Sequence, residues 1–153
     1  MRFSDGTELA IHGLWWIAQH EGHPNGTEPA LLSEIAEAQG VSESYLAKVF
    51  QRLTHAGLLV SKRGKSGGFQ LGRPADEIRI GQVARIFEGE SDTEIHNCAD
   101  SKRGCLARPH CGITDIFGRA INRMFETLNE KSIGDLVREA SSPIARIERS
   151  WLR

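Results

Sequence analysis

Apolar residues recur at three- and four-residue spacing along several stretches of this chain. The pattern predicts helices over about residues 7–19, 32–39 and 43–56, because this spacing places apolar side chains on one helical face. Ser42 is suited to cap the third helix, and Gly40 to end the second. The apolar stripe of the third helix consists of Leu46, Val49, Phe50 and Leu53. Two helices joined by a tight glycine-containing turn predict a helix-turn-helix.

A β-hairpin is predicted directly after the third helix. Two β-prone runs, residues 58–63 and 69–71, flank the glycine-rich turn Gly64-Lys65-Ser66-Gly67-Gly68. The fold class is therefore mainly α, a winged helix-turn-helix with a β-hairpin wing and a long dimerisation helix. The expected DNA contacts are Ser42, Ser44, Tyr45, Lys48 and Arg52 on the recognition helix, with Lys62, Arg63, Lys65 and Ser66 on the wing. A winged helix used only for protein contacts is the plain alternative.

The longest helical pattern covers residues 112–131. Its apolar stripe is longer than neighbouring short helices would cover in so small a chain, so we expect a homodimer through this helix. The first helix is expected to contribute across the same interface. This divides the chain into a DNA-binding part, residues 1–80, and a second part, residues 81–153, which holds a loop over about 88–112, the dimerisation helix and a C-terminal tail.

The charge of the chain is unevenly distributed. The 153 residues carry a formal net charge of −1. Residues 42–73, however, contain six basic side chains and only one acidic side chain, Glu43. Such a local basic stripe is what contact with DNA phosphates requires, and double-stranded operator DNA is the expected partner.

The lengths of the apolar runs and the sequence of the first residues indicate where in the cell the protein is located. No apolar run approaches the roughly 18 residues that a membrane span needs, so no membrane association is expected. Residues 1–6 lack the charged-then-apolar layout of a signal peptide. These features predict a cytoplasmic protein, in which thiols stay reduced.

Every cysteine of the chain lies in one short polar segment. Six residues separate Cys98 from Cys105, and five separate Cys105 from Cys111. The segment contains glycine and proline and has no helical or strand period, unlike the apolar surroundings of a buried structural cysteine. An odd number of cysteines argues against a disulfide framework, so these thiolates are better explained as ligands of a soft metal centre.

Zinc is the main chemical alternative. Three cysteines with one histidine or carboxylate would complete a tetrahedral zinc site. Structural zinc usually uses cysteine pairs two to four residues apart, and the wider gaps here suit the larger iron–sulfur cluster better. His96 and His110 flank the cysteines, and a surface role is expected for both.

Four motifs, in the order in which they follow one another along this chain, resemble the Rrf-type iron–sulfur regulators, a group of bacterial transcription factors. The similarity covers roughly residues 1–140. The motifs are Ser44-Tyr45-Leu46-Ala47-Lys48, Gly57-Leu58, Arg63-Gly64-Lys65-Ser66-Gly67-Gly68-Phe69 and the three-cysteine segment. The resemblance implies a homodimer in which an iron–sulfur cluster controls binding to operator DNA.

At the position of the fourth cluster ligand, this chain differs from one branch of that family. IscR-like members carry a histidine three positions after the last cysteine, where this chain has Thr114. The resemblance to other branches implies ligands on the first helix instead, a carboxylate at Glu8 or the pair Glu8 and His12. A capping pair of Asp5 with Glu8, and a hydrogen-bonded surface histidine at His12, are the plain alternatives.

Five candidate ligands therefore compete for four places: Cys98, Cys105, Cys111, Glu8 and His12. A 4Fe–4S cube needs one protein ligand per iron, whereas a 2Fe–2S cluster needs two per iron. The presence of His12 beside Glu8 favours 2Fe–2S over 4Fe–4S, because the cube has no use for it. The cluster would sense redox state, nitric oxide or cluster supply, in a repressor or an activator.

Other function classes receive less support from the sequence. No nucleotide fingerprint and no nucleophile–base pair is apparent, so the chain is not expected to be an enzyme. An iron–sulfur electron-transfer protein and a zinc-stabilised interaction module remain the alternatives.

Overall fold

The computed structural model describes residues 3–21, 29–64, 67–89 and 112–141. Within these residues the chain forms six α-helices, one short 3-10 helix and one hairpin, as the mainly α winged-helix prediction requires. In chain order the elements are α1 (Asp5–Glu21), α2 (Leu32–Gln39), α3 (Glu43–His55), β1 (Leu59–Lys62), β2 (Gly68–Leu71), a short 3-10 helix (Ala75–Glu77), α4 (Ile80–Glu88), α5 (Gly112–Leu128) and α6 (Ile133–Ser141).

Helix α1 forms the centre of the core. Its inner side chains, Ala10, Leu14 and Ile17, are buried and belong to one apolar cluster with residues of α2, α3, α4 and α6. Gly13 allows α3 to approach closely, because a Cβ at this position would lie 2.6 Å from the Phe50 ring. The cluster thus joins the described parts of both halves of the chain.

The turn between α2 and α3 follows the local rules read from the sequence. Gly40 ends α2 with φ 66°, in the left-handed region that favours glycine. The Ser42 hydroxyl then accepts a hydrogen bond of 3.3 Å from the amide of Tyr45, which caps α3. These two residues fix where the recognition helix begins.

The wing is a two-stranded antiparallel hairpin with an additional bridge. Strands β1 and β2 pair Leu59 with Leu71 and Lys62 with Gly68. Ala30, just before α2, pairs with Phe69 through two backbone hydrogen bonds of 2.9 Å. The bridge ties the entry of the helix-turn-helix to the wing.

Helix α5 ends three residues earlier than the sequence pattern predicts. Residues after Leu128 leave the helix because their backbone pairs with residues around the start of α4: Ile80 donates to the Lys131 carbonyl at 3.0 Å, and Ile133 donates to the Ile78 carbonyl at 2.9 Å. Helix α6 then begins at Ile133, where the Ser132 and Asp135 side chains cap it reciprocally. Hydrogen bonds from Ser132, with the nearby Arg138, hold the pKa of Asp135 well below its usual range.

Candidate nucleic-acid interface and metal ligands

The outer face of α3 is polar and exposed. Leu46, Val49, Phe50 and Leu53 are buried in the core, so the opposite face carries Ser44, Lys48, Gln51 and His55. Tyr45 is 42% exposed beside them. The expected contact residues Ser44, Tyr45 and Lys48 therefore stand at the surface, while the Ser42 hydroxyl serves as the cap of the helix.

The wing adds exposed positive charge beside this face. Lys62 and Arg63 are exposed at the end of β1. Lys65 and Ser66, expected to contact DNA from the wing tip, lie outside the described residues. Lys48, Lys62 and Arg63 are all exposed, so a phosphate backbone can reach them.

A shallow groove of about 290 Å³ separates α3 from the hairpin. Gln51 and His55 line it together with Ser61 and Phe69. Neither Gln51 nor His55 was among the contacts expected from the sequence. Both could have been placed on the same helical face as Lys48 from the sequence, because they follow it by three and seven residues.

Arg52 occupies a different position from the other expected contacts. Its guanidinium donates a hydrogen bond to the Ile86 carbonyl in α4. The guanidinium carbon also lies 4.5 Å from the centroid of the Phe87 ring, a cation–π arrangement. The side chain is thus directed at the last turn of α4.

The two expected metal ligands on α1 are exposed. Glu8 and His12 lie one helical turn apart, and the core does not enclose either side chain. At the start of α1, the Ser4 hydroxyl accepts a hydrogen bond of 3.4 Å from the Thr7 amide. Cys98, Cys105 and Cys111 lie outside the described residues. Within the described ranges, no three histidine, cysteine or carboxylate side chains are grouped to hold a metal ion.

An apolar cavity adjoins His12. It has a volume of about 500 Å³ and is lined by side chains of α1, α2 and α6, among them Ile11, Trp15 and Leu136. The surroundings of His12 are therefore apolar on one side and open on the other.

Helix α5 has two contrasting halves. Phe125 near its end is buried, and the guanidinium carbon of Arg85 lies 4.0 Å from the centroid of its ring. In the first half, by contrast, Ile113, Ile116 and Phe117 are exposed at 60%, 52% and 53%. Large apolar side chains grouped at the surface mark a surface suited to interaction.

Both the sequence and the fold are similar to those of known proteins. The family model described as "Rrf2: Iron-dependent Transcriptional regulator" matches residues 3–139. The chain belongs to the Rrf2 family. Protein aau3 of Rhizobium meliloti (strain 1021) is 35% identical over 139 residues, which make up 90% of this chain and 86% of that protein.

Solved Rrf2-like structures have the same fold. CymR (YrzC), the global cysteine regulator of B. subtilis, is 25% identical with a TM-score of 0.68, over 91% of this chain and 98% of that chain. IscR of T. potens is 26% identical with a TM-score of 0.67, over 92% of this chain and 88% of that chain.

Membership of the Rrf2 family assigns a general function. The chain is a transcriptional regulator of the IscR and CymR type, and the expectation that it is not an enzyme is confirmed by the family. Rrf2 regulators bind DNA and are typically dimeric. Among the helices of the described residues, none is long and apolar enough to cross a membrane.

Proposed function

We propose that this Rrf2 protein is a homodimeric regulator whose binding to operator DNA depends on an iron–sulfur cluster. The observation that carries the proposal is the exposed pair Glu8 and His12, one turn apart on α1. Core packing requires neither side chain, and the same chain carries three clustered cysteines. A carboxylate, an imidazole and three thiolates are together a donor set that fits iron.

The proposed DNA interface consists of the outer face of α3 and the wing. An α-helix fits the major groove of B-DNA, where exposed polar side chains such as Ser44 and Lys48 meet base edges. Lys62 and Arg63 on the wing then lie toward the phosphate backbone. Ser42 contributes through the start of the helix, whose free amides attract phosphate oxygens. Tyr45, Lys65 and Ser66 complete the proposed contacts.

The proposed dimer uses the exposed first half of α5. Ile113, Ile116 and Phe117 are the large apolar side chains that the single chain leaves uncovered there. A two-fold arrangement buries the same surface on both subunits and matches the symmetry of an operator with two half-sites. Helix α1, with Glu8 and His12, would contribute across this interface.

The cluster would take four of the five candidate donors: Glu8, His12 and two of the cysteines for a 2Fe–2S cluster, or Glu8 and all three of Cys98, Cys105 and Cys111 for a 4Fe–4S cube. It would supply a redox-active centre whose presence or oxidation state changes with the cell's conditions. Imidazole ligation raises the reduction potential relative to thiolates alone, which suits a redox sensor. For this reason we propose a 2Fe–2S cluster that uses His12, with the 4Fe–4S cube as the alternative.

Replacing His12 by Ala is expected to alter the cluster, since an imidazole ligand would be lost. Protein purified without oxygen should contain iron and sulfide, two of each per chain, and the Mössbauer spectrum of His12→Ala should differ from that of the wild type. His20→Ala is the matched control, because His20 lies two turns further along the same helix and stacks on Trp16. Its spectrum should be unchanged.

Two other outcomes would decide against this cluster. Four irons per chain and a spectrum indifferent to His12 would replace the 2Fe–2S cluster by the cube and remove His12 from the site. One zinc per chain without sulfide would instead support a zinc-stabilised module.

Replacing Lys48 or Lys62 by Ala is expected to weaken DNA binding by about tenfold at physiological salt, because each variant protein would lose one phosphate or base contact. The measurement is fluorescence anisotropy at several salt concentrations, with duplexes that the protein itself selects from a random library. For Lys62→Ala the slope of log affinity against log salt should fall by about 1. Lys131→Ala is the control, since Lys131 pairs with Glu139 and belongs to neither α3 nor the wing. Unchanged affinity in both Lys48→Ala and Lys62→Ala would refute the docking.

A further inference from the structure

The last turn of α4, residues 86–88, is held by the recognition helix. Arg52 of α3 donates to the Ile86 carbonyl, and its guanidinium carbon stands 4.5 Å from the centroid of the Phe87 ring. An arginine has both the planar group to stack on a ring and the donors to reach a carbonyl at the same time. The side chain expected to read DNA is therefore already engaged inside its own subunit.

The same turn of α4 is held from its other side by the first turn of α1. The Glu88 carboxylate accepts hydrogen bonds from the Ser4 amide at 2.9 Å and the Ser4 hydroxyl at 2.8 Å, and a third from the Thr7 hydroxyl. Thr7 is 2% exposed, so its end of this contact is buried, whereas Ser4 is exposed. Gly6 packs against Phe87, because a Cβ at Gly6 would lie 3.0 Å from its ring.

The two attachments are linked electrostatically. Burial raises the pKa of Glu88, but the hydrogen bonds from Thr7 and Ser4 and the charge of Arg52 outweigh burial and leave the pKa below its ordinary value. The charge of Arg52 is the smallest of the causes that lower this pKa, so the two attachments favour each other electrostatically.

The first turn of α1 is also where a proposed metal ligand lies. The amides of both Thr7 and Glu8 donate to the Ser4 carbonyl, at 2.9 Å and 3.4 Å. A displacement of Glu8 would therefore move Ser4 and Thr7, which are the partners of Glu88. The contacts run without a gap from Glu8 through the last turn of α4 to α3.

We infer that Arg52 is a positioning residue that couples the first turn of α1 to the recognition helix through residues 86–88, and that it does not contact DNA. The inference rests on the proposed function, because it supplies the route by which ligation at Glu8 alters operator binding. Coupling between two sites of a protein commonly changes affinity by about 5- to 150-fold. Loss of Arg52 should remove that factor.

The test compares operator affinity of cluster-loaded and cluster-free protein in the wild type, Arg52→Met and Arg52→Lys. Both variants keep a long side chain, and both lose the planar fork that stacks on Phe87 and reaches Ile86. We expect the ratio of the two affinities to fall to within about twofold of one, with the salt slope unchanged. Glu88→Gln, which weakens the attachment on the other side, should lower the ratio as well.

Lys48→Met is the matched control on the same helix. Because Lys48 is a proposed DNA contact, its loss should weaken binding in both cluster states by the same factor and leave the ratio of the two affinities as in the wild type. If Arg52→Met also weakened binding in both cluster states with an unchanged ratio, and lowered the salt slope by about 1, Arg52 would be a phosphate contact and the inference would be overturned.

A second measurement needs no cluster. In cluster-free protein, Arg52→Met should speed hydrogen exchange in peptides that cover the end of α4 and the first turn of α1, whereas Lys48→Met should not. Unchanged exchange at both places would overturn the inference. Equal operator affinities of the two cluster states in the wild type would contradict the proposed function instead, and hydrogen exchange alone would then decide whether Arg52 joins these elements.

Discussion

Substituting Phe117 by Glu is expected to separate the proposed dimer into monomers. Phe117 is 53% exposed in the single chain, so the charge costs little in the folding of one subunit. In a two-fold interface both copies of the charge would be buried without a partner, next to Ile113 and Ile116. Such burial costs about 3–5 kcal/mol, a factor of roughly 100 to several thousand in the dissociation constant.

Light scattering after size exclusion at micromolar concentration measures this change directly. Operator affinity should fall with it, because a monomer engages only one half-site. Leu31→Glu is the control, since Leu31 is 44% exposed at the start of α2, away from α5. A wild type that is monomeric at these concentrations while binding its operator fully would rule out the proposed dimer, as would a Phe117→Glu variant that stays dimeric.

The helix-turn-helix could be predicted because its signals are local. Ser42 caps α3 and Gly40 adopts the left-handed conformation, and both roles follow from residue type alone. The apolar spacing of Leu46, Val49, Phe50 and Leu53 then fixes which face of α3 is outward. The proposed DNA contacts on α3 follow from that face, and those on the wing follow from the predicted hairpin.

Contacts between residues distant in the chain escaped prediction for a physical reason. Glu88 bonds to Ser4 across 84 positions of the sequence, and no periodic pattern records such a partner. Arg52 has the same helical phase as a surface side chain, yet the carbonyl and ring of α4 attract it. The bridge between Ala30 and Phe69 and the early end of α5 likewise depend on backbone partners supplied by the fold.

The metal ligands could be predicted from the sequence only as candidates. The spacing of Glu8 and His12 is visible in the sequence, and the structure adds that both side chains are exposed. The Ser4 hydroxyl accepts from the Thr7 amide at the start of α1, and the explanation of Glu8 as the capping partner of Asp5 stays an alternative. The cysteines lie outside the described residues, so the complete ligand set stays a prediction that the iron and sulfide measurements test.

The centre of the fold is the contact between α1, α3 and the wing at Phe50. Its side chain is fully buried, and its ring centroid lies 5.0 Å from that of Phe69 at an interplanar angle of 82°. Edge-to-face pairs of this kind add to the stability that burial supplies. Gly13 closes the other side, since a Cβ there would fall 2.7 Å from the Phe50 Cζ atom. The ring thus holds together the helix with the proposed metal ligands and the helix proposed to read DNA.

Phe50→Ala is expected to lower the free energy of unfolding by about 3–5 kcal/mol, because it removes a large apolar side chain and leaves a cavity between three elements. This is a large part of the roughly 5–15 kcal/mol that stabilises a typical domain, and the melting temperature should fall by on the order of 10 °C. Denaturant unfolding followed by circular dichroism, at one fixed protein concentration, measures the change. Leu31→Ala, at a 44% exposed side chain, should change stability by less than about 0.5 kcal/mol. A loss below about 1 kcal/mol for Phe50→Ala would mean that the ring is not enclosed as described, and that α1 and α3 are joined elsewhere.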